Sequence, residues 1–476
     1  MVQQIIDEAP QDACGVFGVW APGEEVSKLT YYGLYSLQHR GQEAAGIATS
    51  AGDRISVYKD VGLVSQVFDE ATLSSLTGYL SIGHCRYGSH SADDWRFAQP
   101  TLGATADGGT VAVGLNGELT NREEVKALIA QRFGEVDSGE LAQGNNSDTA
   151  LITTLLHGQG QSSLEETATE VFGLLEGAFS IVMMTETTLY AVRDRHGFRP
   201  LVLGRLPNGW VVASEQAALA TTGANFIREV APGEILAIDS DGVRSTRFAP
   251  SELARCIFEY VYVARPDAAI NGRSVYESRL EMGRQLAQEN TAHADVVVPV
   301  PDSGTPAAIG YAEESGIPLG HGFVKNSYVG RTFIKPSQTL RQLGIRLKLN
   351  VQPSVVAGKS VIVVDDSIVR GNTQRQVVSM LRAAGAREVH VKISSPPVKW
   401  PCFYGIDFAT RAELIATGAG IEEIRAHIGA DSLAYISLER TIAATQQDPD
   451  TLCTACFSGN YPTDVPQLHA DRKNRD

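Results

Sequence analysis

A chain of 476 residues has room for roughly two to four domains with full-sized cores, and its 43% hydrophobic and 20% charged residues exclude the disordered and fibrous classes. A formal net charge of -15 works against non-specific nucleic-acid binding and against anionic membranes, and no apolar run reaches spanning length. The opening MVQQIIDEAPQDA lacks the basic and apolar regions of a signal peptide, so the expected setting is the cytoplasm.

From Cys14 to about Phe248 the chain reads as many short strands with turns between them and a few helices. FSIVMMT and TLYAVRD flank a Glu-Thr turn, Pro207-Asn208-Gly209 separates LVLGR from WVVAS, and Asp241-Gly242 separates ILAI from VRSTRF. Apolar residues three and four apart predict helices in EEVKALIAQRF, DTALITTLLHG and SLEETATEVFGLLEG. Strands packed with helices make this half α+β.

Cys14, in DACGVFGVWAP, reads on its own as a small core hydrophobe. Four polar inserts between apolar runs change that reading: SLQHRGQEAAGI (36–47), GHCRYGS (83–89), LNGELTN (115–121) and SDT (147–149). Together they supply what acyl transfer from an amide needs. A thiolate attacks the carbonyl, the Asn116 side chain and the Gly117 N–H hold the oxyanion, and Arg86 and Asp148 bind a carboxylate and an ammonium. That set fits glutamine. Cys85 is read as a packed side chain without a role.

A boundary is expected near Pro250 to Cys256, beyond which the pattern turns α/β. ESRLEMGRQLAQE (277–289) has helical spacing, ADVVVPVPDSGTPAAIGYAEESG reads strand, loop, helix, and residues 386–395 read as a strand after a helix ending at Gly385. Strands alternating with helices predict a parallel sheet. Val361 to Val364 is an unbroken β-branched run, as in a strand buried on both faces. At its carboxyl end stand Asp365 and Asp366, then a loop with Ser367, Arg370, Gly371 and Thr373 before a helix. Open α/β sheets bind ligands there: backbone N–H groups, hydroxyls and the helix N-terminus suit a phosphate, and the paired acids suit a ribose diol or Mg2+. Pro301-Asp302-Ser303-Gly304-Thr305 ends another apolar strand and is a second candidate cradle. No acidic residue lies between Glu314 and Asp365, whereas Lys325, Arg331, Lys335, Arg341, Arg346, Lys348 and Lys359 do, which points to a small polyanion or a solvated basic face.

The six cysteines argue for metal or catalysis before disulfides. Cys453 and Cys456 form a C-x2-C pair, with Cys256 and Cys402 far upstream. Spacing alone allows zinc, ranked first, an iron–sulfur cluster or unrelated thiols.

The combination of CGVFG, LQHRGQE, GHxRY, NGxLxN and SDT resembles the glutamine amidotransferase domain of the N-terminal-nucleophile class. With VVDDSIVRG downstream, residues 14 to 464 resemble the glutamine phosphoribosylpyrophosphate amidotransferases. The resemblance implies a 1–13 propeptide, a layered αββα N-terminal-nucleophile domain over 14–250, a type I phosphoribosyltransferase domain with a parallel sheet over 251–464, and a tail over 465–476. It makes Cys14 the nucleophile of glutamine hydrolysis, freed by cleavage after Ala13 so that its α-amine can act as base. Arg86 and Asp148 take glutamine's carboxylate and amine, and Asn116 with Gly117 forms the oxyanion hole.

In the second domain the resemblance places phosphoribosylpyrophosphate on Asp302, Ser303 and Gly304, on Lys325, Tyr328 and Arg331 of a closing loop, and on Asp365, Asp366, Ser367, Ile368, Val369, Arg370, Gly371, Asn372 and Thr373. Mg2+ falls to Ser303, Asp365 and Asp366. One branch of the family holds a 4Fe-4S cluster on cysteines in these contexts, which turns Cys256, Cys402, Cys453 and Cys456 from zinc ligands into cluster ligands. Ammonia displacing pyrophosphate would give 5-phosphoribosylamine, the committed intermediate of purine synthesis. A homo-oligomer, tetramer or dimer, and inhibition by purine nucleotides are also implied. Leu115, Gly88-Ser89 and Ser327 depart from the family pattern. A phosphoribosylpyrophosphate-sensing protein without catalysis and a relative of glucosamine-6-phosphate synthase are the competing readings; the intact site residues argue against the first and the VVDDSIVRG loop against the second.

Overall fold

A computed structural model describes residues 14–87, 94–134, 139–158, 163–326, 349–406 and 411–465. The first thirteen strands are β1 (Gly15–Trp20), β2 (Ala44–Ser50), β3 (Ile55–Val61), β4 (Leu80–Arg86), β5 (Thr101–Ala104), β6 (Thr110–Leu119), β7 (Gly177–Met184), β8 (Leu189–Arg193), β9 (Val202–Leu206), β10 (Gly209–Ala213), β11 (Asn225–Glu229), β12 (Glu234–Asp239) and β13 (Gly242–Arg247). They form two antiparallel sheets, ordered β11-β9-β10-β1-β4-β2-β3 and β13-β12-β8-β7-β6-β5.

The two-residue period of a strand explains the layering. On β1, Val16 faces the other sheet, joining Ile82, Ala112, Val182 and Leu236 in the central layer. Phe17 and Val19 face outward, onto Leu34 and Leu37 beside the helix Val26–Ser36 and onto Ala218 and Leu219 of the helix Gln216–Thr222. On the second sheet Val113 and Ile181 face outward onto the helices Arg122–Phe133, Asp148–Leu155 and Leu164–Leu174 through Ile129, Leu151 and Phe172. Helices thus cover both outer faces of a two-sheet sandwich, an αββα stack. The three expected hairpins are present as β7-β8, β9-β10 and β12-β13.

Ten further strands follow: β14 (Arg255–Cys256), β15 (Ala269–Ile270), β16 (Arg273–Ser274), β17 (Val296–Pro299), β18 (Phe323–Lys325), β19 (Leu349–Val351), β20 (Ser360–Asp365), β21 (Glu388–Ile393), β22 (Ser432–Tyr435) and β23 (Leu452–Cys453). A parallel sheet β17-β20-β21-β22 carries the second core. Ile362 and Val364 face the helices Val275–Glu289 and Thr305–Ser315, while Val361 and Val363 face the helices Asn372–Ala383 and Ile421–Ile428. Both faces of β20 are covered, which is why its sequence is continuously apolar. No helix among the described residues is long and apolar enough to cross a membrane.

Between the two cores lies a buried charge cluster. Arg40, fully buried, pairs with Glu215 of the first domain and with Glu259 at 2.6 Å, and Arg199 reaches Glu259 at 3.2 Å. Glu259 opens a π-helical turn, Glu259–Val263, whose Tyr260 carbonyl accepts from Arg279 at 2.8 Å. Finally β14 pairs in parallel with β23, setting Cys256 opposite Cys453.

Candidate active site

Cys14 stands at the head of β1, beside the end of β4. Its Sγ donates to the Tyr87 carbonyl at 3.4 Å and lies 3.5 Å from the Tyr87 N–H. Burial pushes the thiol up, and the Tyr87 contact and the Arg86 charge only partly offset this. The group is therefore a thiol at neutral pH and needs a base to become a nucleophile.

Asn116 and Gly117 sit on β6, opposite Ser180 and Phe179 of β7. Asn116 is fully buried, and both its Nδ2 and Oδ1 lack a partner among the described residues. A buried amide left open is costly unless something else fills its valence, so the Asn116 side chain has a donor and an acceptor to offer a bound group. Gly117 has φ of +149°, and a Cβ there would fall 1.9 Å from the Ala178 carbonyl oxygen. Only glycine fits.

Two residues with no role in the sequence reading fix this strand. His84 of β4 crosses between the sheets to bond the Leu115 carbonyl from Nε2 at 2.9 Å, and the Gln99 side chain accepts from the Leu115 N–H at 2.7 Å. Burial drives His84 down to about 3, so it is a neutral imidazole donating from Nε2. Leu115, the departure from the family pattern, packs its side chain in the outer core with Val113 and Ile181, on the strand face opposite Asn116.

Asp148 lies beyond the end of β6, accepting from the Leu119 N–H at 2.9 Å and from Arg122 at 2.6 Å. Burial raises it, against those two partners. Arg86, at the end of β4, stacks its guanidinium over Phe97 at 5.7 Å. Gly88 and Ser89 lie outside the described residues.

In the second domain Asp365 and Asp366 are buried at the end of β20. Asp365 accepts from Gln374 on the first turn of the following helix and from the Asp366 N–H at 2.9 Å, and Ser367 donates to Asp366 at 2.5 Å. Burial, then the neighbouring Asp366 carboxylate, lifts Asp365 well above the usual carboxylate range. Two acids crowded in this way have room for a cation's charge. Ile368 and Val369 are buried, and Gly371, with φ of +86°, turns the loop that starts at Ser367 into the helix Asn372–Ala383.

The other cradle abuts this one. A Cβ on Gly304 would fall 2.6 Å from the Val364 carbonyl oxygen, so the bare backbone lets the 301–304 loop rest on the end of β20. Asp302 there pairs with Lys325, and Ser303 leads into the helix Thr305–Ser315. Ser327, Tyr328 and Arg331 lie outside the described residues.

Cys256, Cys402, Cys453 and Cys456, all free, line one small cavity with Phe198 and Tyr404. Burial raises all four thiols, Cys256 to about 11, and repulsion from neighbouring cysteines adds to it at Cys256, Cys453 and Cys456. Among the described residues no three metal-ligating side chains close on one point as a single bound ion requires. Four thiols around a shared cavity are donors of the kind that zinc or an iron–sulfur cluster takes. The loop that carries Cys402 reaches Gly117: a Cβ on Gly405 would fall 2.9 Å from the Gly117 Cα, Phe198 stacks on Tyr404 at 4.1 Å, and Arg199 donates to the Tyr404 carbonyl.

Residues 90–221 match the glutamine amidotransferase domain family and residues 279–394 the phosphoribosyl transferase domain family. The chain is 57% identical over 471 residues to the amidophosphoribosyltransferase of Mycobacterium tuberculosis, covering 98% of this chain and 89% of that one. It is 45% identical over 461 residues to that of Bacillus subtilis, covering 96% and 95%. Its structure is similar to that of the glutamine phosphoribosylpyrophosphate amidotransferase of Bacillus subtilis complexed with ADP and GMP, with a TM-score of 0.88 at 45% identity over 95% of this chain and 98% of that one. With both domains matched in order and nearly the whole length shared, the chain belongs to the amidophosphoribosyltransferase family.

Proposed function

We propose that two reactions run in series on this chain. Glutamine is hydrolysed at Cys14, and the ammonia released displaces pyrophosphate from phosphoribosylpyrophosphate at the Asp365–Thr373 loop, giving 5-phosphoribosylamine at the entry to purine synthesis. The observation that carries the reading is the open, buried amide of Asn116 beside a residue that can only be glycine. No described residue uses the Asn116 amide, and a tetrahedral oxyanion would.

In this reading residues 1–13 are removed, and the α-amine of Cys14 takes the thiol proton that burial otherwise retains. The sulfur attacks the glutamine amide carbon, Asn116 Nδ2 and the Gly117 N–H hold the oxyanion, and the amine returns the proton to the departing ammonia. Water then cleaves the thioester to glutamate. Arg86 and Asp148 orient the substrate by its carboxylate and amine.

At the second site the backbone and hydroxyls of Asp302–Gly304 and Ser367–Thr373 hold the phosphates, with Lys325, Tyr328 and Arg331 closing over them. Ser303, Asp365 and Asp366 would hold Mg2+, which supplies counter-charge to the pyrophosphate. Exclusion of water matters because the cationic centre at C1 must be captured by ammonia. Cys256, Cys402, Cys453 and Cys456 would hold a 4Fe-4S cluster with a structural role. The protein works in the cytoplasm as a homo-oligomer, a tetramer, inhibited by purine nucleotides; the ADP and GMP complex of the Bacillus subtilis relative supports the last point.

The test is glutamate release with and without phosphoribosylpyrophosphate and Mg2+, in the wild type and in Cys14→Ala. Glutamate release should vanish in the variant while synthesis from added ammonia persists. Release that needs Cys14 but ignores phosphoribosylpyrophosphate would sink the coupling. Intact mass of protein made in cells should begin at Cys14; a chain still carrying Met1 or Val2 contradicts the cleavage.

A further inference from the structure

A cavity of about 340 Å3 opens where the two domains meet, lined by Arg193 and the segment Phe226 to Pro232 from the first domain and by Arg255, Asn271 and Gly272 from the second. None of the residues placed in either catalytic site lines it. Its charges do not balance. Arg193, buried, is fully occupied by the Glu229 carboxylate at 2.9 Å and by the carbonyls of Val230, Gly197 and Arg199. The other oxygen of Glu229 accepts from the Asn271 N–H, and these partners hold that carboxylate ionised in spite of its burial. Glu229 also feels the charge of Arg255, so one carboxylate answers two guanidiniums, and the cation left over is that of Arg255. No described residue accepts a hydrogen bond from its guanidinium, and its Nε is shut off from solvent without a partner. Buried donors without acceptors are rare in folded proteins and call for an explanation.

We infer that this cavity binds a small organic monoanion, a carboxylate carried on a flat or branched apolar body, with Arg255 as the anion's partner. The guanidinium fork matches a carboxylate in two parallel hydrogen bonds. Phosphate fits less well, because a second negative charge would meet Glu229 with no further cation to answer it. The body is read from the walls: Phe226 is 46% exposed at the rim, with Val230 and Pro232 beside it. The volume is at the low end for ligand pockets, room for an aromatic acid but not for a nucleotide. The far wall is preformed. Asn271 and Gly272 have φ of 49° and 73° and make the tight turn between β15 and β16. Because the walls come from both domains, an occupant would tie them together.

The test uses the full-length oligomer and three probes, benzoate, its neutral counterpart benzamide and inorganic phosphate, by titration calorimetry and saturation-transfer NMR. Benzoate should bind once per chain, with benzamide and phosphate about tenfold weaker or more, and Arg255→Met should weaken benzoate about tenfold while Arg255→Lys keeps part of the affinity. Phe226→Ala, on the exposed rim, should also weaken benzoate, and it carries the test if Arg255→Met does not fold. Benzoate that binds Arg255→Met or Phe226→Ala as tightly as wild type, phosphate that outcompetes benzoate, or no benzoate binding to the wild type would each overturn the inference.

Discussion

Replacing Arg40 by methionine removes one cation from a cluster in which two buried acids depend on it. Breaking a buried pair generally costs about 3–5 kcal/mol, because a charge is left uncompensated. Here each acid retains another partner: Glu215 keeps His39 at 2.8 Å and the Arg265 N–H at 3.1 Å, and Glu259 keeps Arg199 at 3.2 Å. The expected loss for Arg40→Met is therefore at the low end, about 3 kcal/mol. Removing the stranded charge as well, in Arg40→Met with Glu259→Gln, should recover about 1–2 kcal/mol of it.

The pH dependence follows from the same geometry. Burial opposes the ionisation of Glu215, and Arg40 with His39 overcomes it and holds the carboxyl below its usual range. Without Arg40 the folded-state value moves upward past the unfolded one, so the folded protein gains protons relative to the unfolded chain. The variant's deficit should then be largest above the raised value and shrink as the pH falls through it. Urea unfolding at matched protein concentration, at pH 8 and near pH 5, measures both effects. A loss under about 1 kcal/mol, or a double variant whose cost is the plain sum of the single ones, refutes the account.

Gly117→Ala must place a methyl 1.9 Å from the Ala178 carbonyl oxygen, and the resulting shift should cost about 100-fold or more in glutamine-dependent synthesis while ammonia-dependent synthesis survives. Equal losses with both nitrogen sources would contradict that. His84, held down to about 3, takes up protons more readily in the unfolded chain, so its contribution to stability is complete above about pH 6.5 and declines as the pH falls toward 3. Between pH 7 and pH 5 the wild type should lose about 2 kcal/mol that His84→Leu does not lose; parallel pH profiles would remove the basis of the claim. Protein purified anaerobically should be brown and carry about four irons with matching sulfide, and Cys256→Ser should lose both. Stoichiometric zinc without sulfide excludes the cluster.

The sequence pattern reached those parts of the fold whose signals are local. Val361 to Val364 declares a strand covered on both faces, and the structure covers it on both. The acids after it, the second glycine loop and the four cysteines were legible as residue types at strand ends and near turns. What brings them together was not. His84 and Gln99 reach Leu115 from other strands and loops, Gln374 reaches Asp365 from the next helix, and Gly405 touches Gly117 across the domain junction. Periodicity assigns a residue to a face but not to the partner on that face, so these contacts carry no local signature. Arg40 shows the limit most clearly: LQHRGQE reads only as part of a polar insert between apolar runs, yet Arg40 is fully buried between two domains.

The short pairing of β14 with β23 also sets an order of assembly. Roughly 200 residues of chain, including the whole parallel sheet, must be made after Cys256 before Cys453 can lie beside it. At ribosomal speed that interval is about 10–40 s, during which the first domain can close its sandwich while the strand at Arg255–Cys256 still has an open edge. The final segment therefore works as a clasp. All four thiols can surround their shared cavity only once translation has passed Cys456, and a chain cut short before Leu452 would keep both catalytic halves yet leave the junction unlatched.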